Sequence, residues 1–260
     1  MSKRTSSGDT RYDKLIIAIF NEHYTKGTTE FTFNRTEIET KCNDLGIELP
    51  KNLGDLIYTY RYRSSLPNVI QKTASKNREW MILPAGRSKY KFIQMDKGTS
   101  ITPNALLAVT EIPDATPGII SMFALNDEQA ILAKIRYNRL VDIFTRAACY
   151  SLQSHLRTTA KDIGQVETDE VYVGIDKSGL KYVIPVQAKG GRDELNIVQI
   201  IQDLAMCKEK FPELICRPVA AQFLDDNTIA LFEFQEQDGS LKIYCEKHYK
   251  LVPAKHVKRA

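Results

Sequence analysis

Polar residues interrupt two strand-like runs between Gly164 and Gly191, among them Glu167 and Asp169 in the first and Gln187 and Lys189 in the second. Side chains alternate faces along a strand, so Glu167 and Asp169 share a face, as do Gln187 and Lys189, while Val186 and Ala188 turn the other way. The flanking residues are rich in Val, Ile and Tyr. Polar groups that close to a core are costly unless they pair or bind something. If the strands are neighbours, an acid, a carboxamide and an ammonium converge at a sheet edge. That set suits metal-assisted phosphodiester hydrolysis. A hard cation, Mg²⁺ with Mn²⁺ as a substitute, takes oxygen ligands. Asp169 is the anionic ligand, and the Gln187 amide oxygen and the Ala188 carbonyl are neutral ones. Lys189 orients or helps deprotonate the attacking water and stabilises the pentavalent phosphate. The plain alternative is a cross-strand ion pair, Glu167 with Lys189, on a solvated hairpin.

The surrounding pattern supplies the scaffold. Residues 127–156 carry a helical stripe, Ile131, Ile135, Leu140, Ile143 and Phe144, with a break near Cys149. Strands are expected over 165–175 and 181–189, joined by the turn Asp176-Lys177-Ser178-Gly179. A helix over 195–211 buries Leu195, Val198, Ile201, Leu204 and Ala205, leaving Gln199 and Gln202 on a polar face. Strands over 218–224 and 228–235, and one over 241–246, complete a mixed α/β half. No Ser/His/Asp set and no Gly-rich phosphate loop presents itself. His23, His155, His248 and His256 are dispersed and read as structural or surface residues.

This hairpin resembles the PD-(D/E)XK nuclease superfamily, which includes most type II restriction endonucleases. Asp169 matches the first acid, and Gln187-Ala188-Lys189 matches the Glu/Asp-x-Lys motif in the Gln-x-Lys form of Mrr-like restriction enzymes. The resemblance covers residues 125–235 and implies an αβββαβ order, of which one element is missing from the pattern. It implies the catalytic set Asp169, Gln187, Lys189 and Glu167, with metal held by Asp169, Gln187 and Ala188. An amide at position 187 removes one negative ligand. Glu167, Glu170 or Glu128, the last from the preceding helix, are candidates to compensate. The resemblance further implies a prokaryotic, cytoplasmic enzyme, Mg²⁺-dependent, cutting double-stranded DNA as a homodimer. A nuclease specific for methylated DNA is the alternative, and a non-catalytic winged-helix regulator is the rival from another class.

The front of the chain reads as a DNA-gripping module. A helix over 11–24 with Leu15, Ile16, Ile19 and Phe20 is followed by a short β-like EFTFN stretch. A second helix opens with Asn34 and Glu37 as a capping box and is ended by Gly46. A third runs over 51–64, and strands over 78–84 and 88–94 flank the turn Ala85-Gly86-Arg87. This order resembles a winged helix-turn-helix. Leu53, Leu56, Ile57 and Tyr60 face the core. Lys51, Asn52, Tyr58, Thr59, Arg61, Tyr62 and Arg63 are left to meet bases and backbone. Arg78, Arg87, Lys89 and Lys91 suit phosphates.

Charge distribution agrees with this division. Residues 1–100 hold 17 Lys and Arg against 11 Asp and Glu, and the remainder hold 19 against 21. The composition, 43% hydrophobic and 26% charged, is that of a folded globular chain. No run of apolar residues is long enough for a membrane helix, and no signal-peptide pattern follows the N-terminus. The five cysteines lack metal-ligand spacing and read as reduced thiols. The expected architecture is α+β: a winged-helix domain over 1–95, a linker over 96–118, and over 119–260 a PD-(D/E)XK-like domain with a central mixed sheet flanked by helices.

Overall fold

Apolar periodicity sets the helices of the front unit, and their buried faces enclose one aromatic core. In the computed structural model, α1 (Arg11–His23) buries Leu15, Ile16, Ile19 and Phe20, as its spacing dictates. Then come β1 (Glu30–Asn34), α2 (Arg35–Asp44), α3 (Leu53–Tyr58) with a π-helical turn at Thr59–Arg63, α4 (Asn68–Gln71), β2 (Arg78–Pro84) and β3 (Lys89–Asp96). Glu37 accepts the Asn34 amide at 2.7 Å, and Gly46 takes φ +62° just past α2. The strands form a sheet of order β1-β3-β2. Phe20 packs edge-on against Trp80 and Phe92 at centroid distances of 5.2 and 5.3 Å. The structure describes residues 10–50, 52–96, 100–123, 128–190, 195–225, 227–237 and 240–253, the side chains of residues 62, 63 and 100 aside.

The chain forms two compact units, Met1–Thr99 with Lys161–Gly164, and Ser100–Ala160 with Gln165–Ala260. The stretch 96–118, expected as a connection, is therefore largely part of the second unit. It contains β4 (Ser100–Ile101) and β5 (Val109–Pro113), which joins the main sheet beside the last strand. After these come α5 (Gly118–Phe123), α6 (Glu128–Tyr137), α7 (Leu140–Thr145), β6 (Ala148–Ala160), β7 (Gly164–Ile175), β8 (Lys181–Lys189), β9 (Leu195–Asn196), α8 (Ile197–Lys210), β10 (Ile215–Cys216), β11 (Val219–Phe223), β12 (Thr228–Gln237) and β13 (Ser240–Val252).

Eight strands make one mixed sheet of order β5-β13-β12-β11-β8-β7-β6, with β10 also beside β8. Pairs β7–β8, β11–β12 and β12–β13 are antiparallel, whereas β8–β11 and β13–β5 are parallel. With eight α-helices among the described residues, the fold is α+β. No helix among them is long and apolar enough to cross a membrane, and all five cysteines are free thiols.

Two expectations are corrected here. The helix over 127–156 ends early: Arg139 and Arg146 adopt left-handed φ of +50° and +56°, which breaks the helix twice. The first break resets the helical phase, so Val141 is buried and Ile143 is exposed. Residues 148–160 are instead β6, an edge strand. In α8 the buried stripe is Ile197, Val198, Ile200, Gln202, Asp203, Met206 and Cys207, while Ile201, Leu204 and Ala205 are only half-buried.

Trp80 is central to the front core, and deleting its ring leaves a cavity that neighbours on three elements cannot fill. Trp80→Ala should cost about 3–5 kcal/mol. Chemical denaturation monitored by circular dichroism checks this.

Candidate active site

β8 lies inside the sheet, paired on one side with β7 and on the other with β11. Tyr182, Ile184, Val186 and Ala188 alternate onto one face, in a cluster with Ile131, Leu132, Ile135, Val141 and Phe144 of α6 and α7. The intervening residues, Gln187 among them, face α8. The β7–β8 register runs from Ile175↔Lys181 to Glu170↔Val186. Just beyond its end the Asp169 carboxylate takes over: its Oδ2 accepts the Ala188 N–H at 2.8 Å. Asp169 is 8% exposed. Burial pushes its carboxyl up, the Ala188 N–H and the Lys189 charge oppose that, Glu128 pushes it further up, and His155 pulls it down.

Lys189 is the cation of the site. Its Nζ pairs with the carboxylate of Glu128, the first residue of α6. Asp169, Lys189 and Glu128 thus come from the middle of β7, the end of β8 and the start of α6, and both Lys189 and Glu128 act on the charge of Asp169. Glu128, the most distant of the candidate acids in sequence, is the one that the fold brings to Lys189.

The other candidates have partners of their own. Glu167 is bound at the surface by Arg157 at 2.8 Å, so only its backbone carbonyl faces inward. Glu170 is fully buried, with Oε1 held by Arg136 at 2.9 Å and Ser151 at 2.7 Å. Neither carboxylate turns to Lys189, which removes both as compensating acids. Gln187 is turned toward α8: its Nε2 donates to the Glu167 carbonyl at 3.0 Å and to Asp203 Oδ2 at 2.9 Å, and its Oε1 accepts from Gln199 at 3.2 Å. Ala188 touches Asp169 through its amide N–H.

Asp203 and Thr168 were missed in the sequence, Gln199 was read as part of a polar helix face, and His155 was read as a structural or surface residue. Asp203 is fully buried, and its second oxygen accepts from the Thr168 hydroxyl at 2.5 Å. Burial pushes its carboxyl up to about 7; the bonds from Thr168 and Gln187 oppose this, and the Asp169 charge adds to it. The available signal was the i, i+4 placement of Gln199 and Asp203 beside the apolar residues of that helix. His155 has left-handed φ +49° within β6 and lies 2.8 Å from the Gln129 amide nitrogen, next to Glu128. Its charge reaches Asp169, so it belongs to this neighbourhood and not to the remote surface.

The oxygen donors here fit a divalent cation. Two carboxylates, Asp169 and Glu128, share one lysine, and the inner one is desolvated enough that added positive charge stabilises it. Another group, Glu22, His23 and Glu37 of the front unit, brings potential ligands together. There Glu37 is already engaged by His23 and the start of α2, so the cluster is accounted for without a metal.

In the front unit, Leu56, Ile57 and Tyr60 are buried and Leu53 is half-buried, as expected. Tyr58 is 47% exposed, Thr59 and Arg61 are half-buried, and Asn52 caps α3 by accepting from Gly54. Arg87 and Lys89 are exposed beside the β2–β3 turn. Arg78 pairs with Asp96 at 3.6 Å and Lys91 with Glu30 at 3.2 Å, so these two cations are partly neutralised. Lys51 and the side chains of Tyr62 and Arg63 lie outside the described residues.

Comparison with models of known families, with curated proteins and with solved structures found no match to this chain.

Asp203 couples stability to pH. Its folded pKa of about 7 stands above the unfolded value near 3.9. The folded state therefore holds a proton that the unfolded state has released, and stability falls as pH rises from about 4 to about 7. Asp203→Asn keeps an acceptor for Gln187 and a donor for the Thr168 oxygen but removes the titration. It should flatten that slope and raise stability at pH 8 by at most about 4 kcal/mol. Urea denaturation at pH 5 and pH 8 measures it, and parallel profiles for the two proteins would exclude this assignment.

Proposed function

We propose that the protein is a Mg²⁺-dependent endonuclease that hydrolyses phosphodiester bonds of double-stranded DNA, with its active site where the middle of β7 meets the end of β8. The observation that carries this reading is the convergence of a buried acid, Asp169, with Lys189 and Glu128 at one site. The wider element order supports the resemblance to PD-(D/E)XK nucleases. Helices α6 and α7 precede the neighbouring strands β6, β7 and β8, and α8 then leads to β11, parallel to β8. β6 is the element that was missing from the sequence pattern.

Asp169 and Glu128 would hold the cation, with the Gln187 amide oxygen and the Ala188 carbonyl as neutral donors. Bound there, Mg²⁺ supplies a Lewis acid for the phosphate oxygen and lowers the pKa of a bound water. Lys189 orients the attacking water and stabilises charge growing on the phosphate. Partial burial strengthens that interaction, because the lysine is only 16% exposed in its side chain. Asp169 accepts from Ala188 N–H, so its carboxylate is fixed relative to the very triplet that carries Lys189.

The front unit is read as the DNA-gripping module. Its order of helix, strand, three helices and a β-hairpin, with sheet order β1-β3-β2, supports a winged-helix assignment. Within this class the reading is a type II restriction endonuclease acting as a homodimer, since symmetric double-strand cuts require two active sites. Digestion of methylated and unmethylated plasmid distinguishes it from a modification-dependent enzyme.

Plasmid digestion with Mg²⁺ and with EDTA tests the activity. Cutting should require the metal, and Asp169→Ala and Lys189→Ala should each lower the rate on the order of 100-fold or more. Undiminished cutting by both purified variants would place the chemistry elsewhere.

For DNA retention, Arg87→Ala with Lys89→Ala should weaken binding of any duplex sequence. The slope of log affinity against log salt should fall by roughly 0.9 for each phosphate that is no longer neutralised. An unchanged slope in filter-binding assays would remove the hairpin from the interface.

A further inference from the structure

We propose that Asp203 is a positioning residue for Gln187: its carboxylate holds the carboxamide nitrogen, so that the amide oxygen is the atom presented to a divalent cation. The proposal rests on the nuclease reading above and deepens it.

A carboxylate at position 187 would coordinate a cation through either oxygen. An amide has only one useful end, because its NH₂ group carries no lone pair available to a hard cation. Orientation of the amide therefore decides whether Gln187 is a ligand at all. Three contacts decide it here. Nε2 lies 3.0 Å from the Glu167 carbonyl and 2.9 Å from Asp203 Oδ2. A backbone carbonyl only accepts, so the end that faces it must be the nitrogen. Both N–H groups are thereby used.

The oxygen end is held from the same helix. Gln199 donates to Oε1 at 3.2 Å, which occupies one of two acceptor positions on that oxygen and leaves the other for a cation. Gln199 and Asp203 are four apart on α8 and so lie on one side of it. Asp203 cannot swing away: it is fully buried, and its other oxygen is held by Thr168, which is itself fully buried. Thr168 is the residue before Asp169, so the clamp is anchored to the strand that carries the charged ligand.

The test measures Mn²⁺ affinity of the full chain without DNA, by the paramagnetic resonance signal of free Mn²⁺. Asp203→Ala should weaken Mn²⁺ binding by about tenfold or more. Asp203→Asn should restore affinity close to that of the unaltered protein, since its Oδ1 can accept from Gln187 and its Nδ2 can donate to Thr168. Gln187→Ala should weaken binding as much as Asp203→Ala, and the double variant should be no weaker than either. Wild-type affinity in Asp203→Ala, or losses that add in the double variant, would overturn the role of Asp203 while leaving the nuclease standing. Should the alanine protein fail to fold, Gln187→Glu is the second probe. It sets one carboxylate against another, so adding Asp203→Asn should tighten Mn²⁺ binding. Equal affinity of the single and double proteins overturns the proposal. A chain that takes up no Mn²⁺ and cuts no DNA overturns the nuclease reading and this one together.

Discussion

Desolvating the Asp169 carboxylate is the constraint around which the rest of the second unit is arranged. An acid that is only 8% exposed is tolerated when hydrogen bonds and positive charge surround it. The Ala188 N–H supplies the first and Lys189 the second. Both come from one triplet at the end of β8, so Asp169 is satisfied only where that end lies against the middle of β7. That requirement explains why the ladder register stops at Glu170 and the side chain of the next residue continues the bonding. It also explains the position of α6, whose first residue balances the charge of Lys189.

Two layers of helix make this arrangement rigid in different ways. On one face of β8, Ile184, Val186 and Ala188 pack with α6 and α7 in a wholly apolar cluster. On the other, the contact with α8 includes a polar chain from Thr168 through Asp203 and Gln187 to Gln199. Apolar packing is non-directional and tolerates small shifts, whereas hydrogen bonds between buried groups specify one arrangement and penalise every other. The directional layer stands directly behind the candidate ligands. Elsewhere in the unit buried charges serve the scaffold alone. Arg217 chelates Glu233 with bonds of 2.6 and 2.8 Å, and Arg136 neutralises Glu170. A buried acid is therefore common in this sheet, and the fully buried Glu170 is bonded to Arg136 and Ser151.

Much of this was legible in the sequence, for identifiable reasons. Strands β7, β8, β11 and β12 follow from runs of Val and Ile bounded by Asp-rich turns, and such turns stop a strand through local bonds like those of Asp176 to Ser178 and Leu180. Asp169 and Lys189 could be paired because the two strands form one hairpin, in which the middle of β7 lies against the end of β8. β6 was hidden because its residues are exposed on an edge and lack the apolar run of an inner strand. The break at Arg139 was hidden because left-handed backbone at arginine has no compositional mark, whereas the one at Arg146 lies three residues from the break expected near Cys149. Gln187 illustrates a deeper limit. Strict alternation puts it with Lys189, and locally that is correct. The long lysine side chain reaches Glu128 from α6, while the shorter amide is captured by α8, so two residues of one parity serve different neighbours. Asp203 was invisible for a related reason, since only tertiary packing rotates α8 so that an acid faces the sheet.

The two units divide the electrostatic work. In the second unit Arg136, Arg157, Arg217 and Lys208 are each engaged by an acid, and Lys189 faces Glu128. Cations already paired have less to gain from a phosphate, because binding must first displace the existing partner. In the front unit Arg87 and Lys89 project from a hairpin turn and are exposed, and residues 1–100 carry the excess of basic side chains. Affinity for a polyanion depends on the number of phosphates neutralised and the counterions released. On that basis, under the proposed reading, the front unit is suited to supply most of the binding energy, while the cations of the second unit that acids already engage contribute less. Under the proposed reading such a site gains selectivity for position at the expense of affinity, because it would act on whichever phosphodiester the front unit delivers.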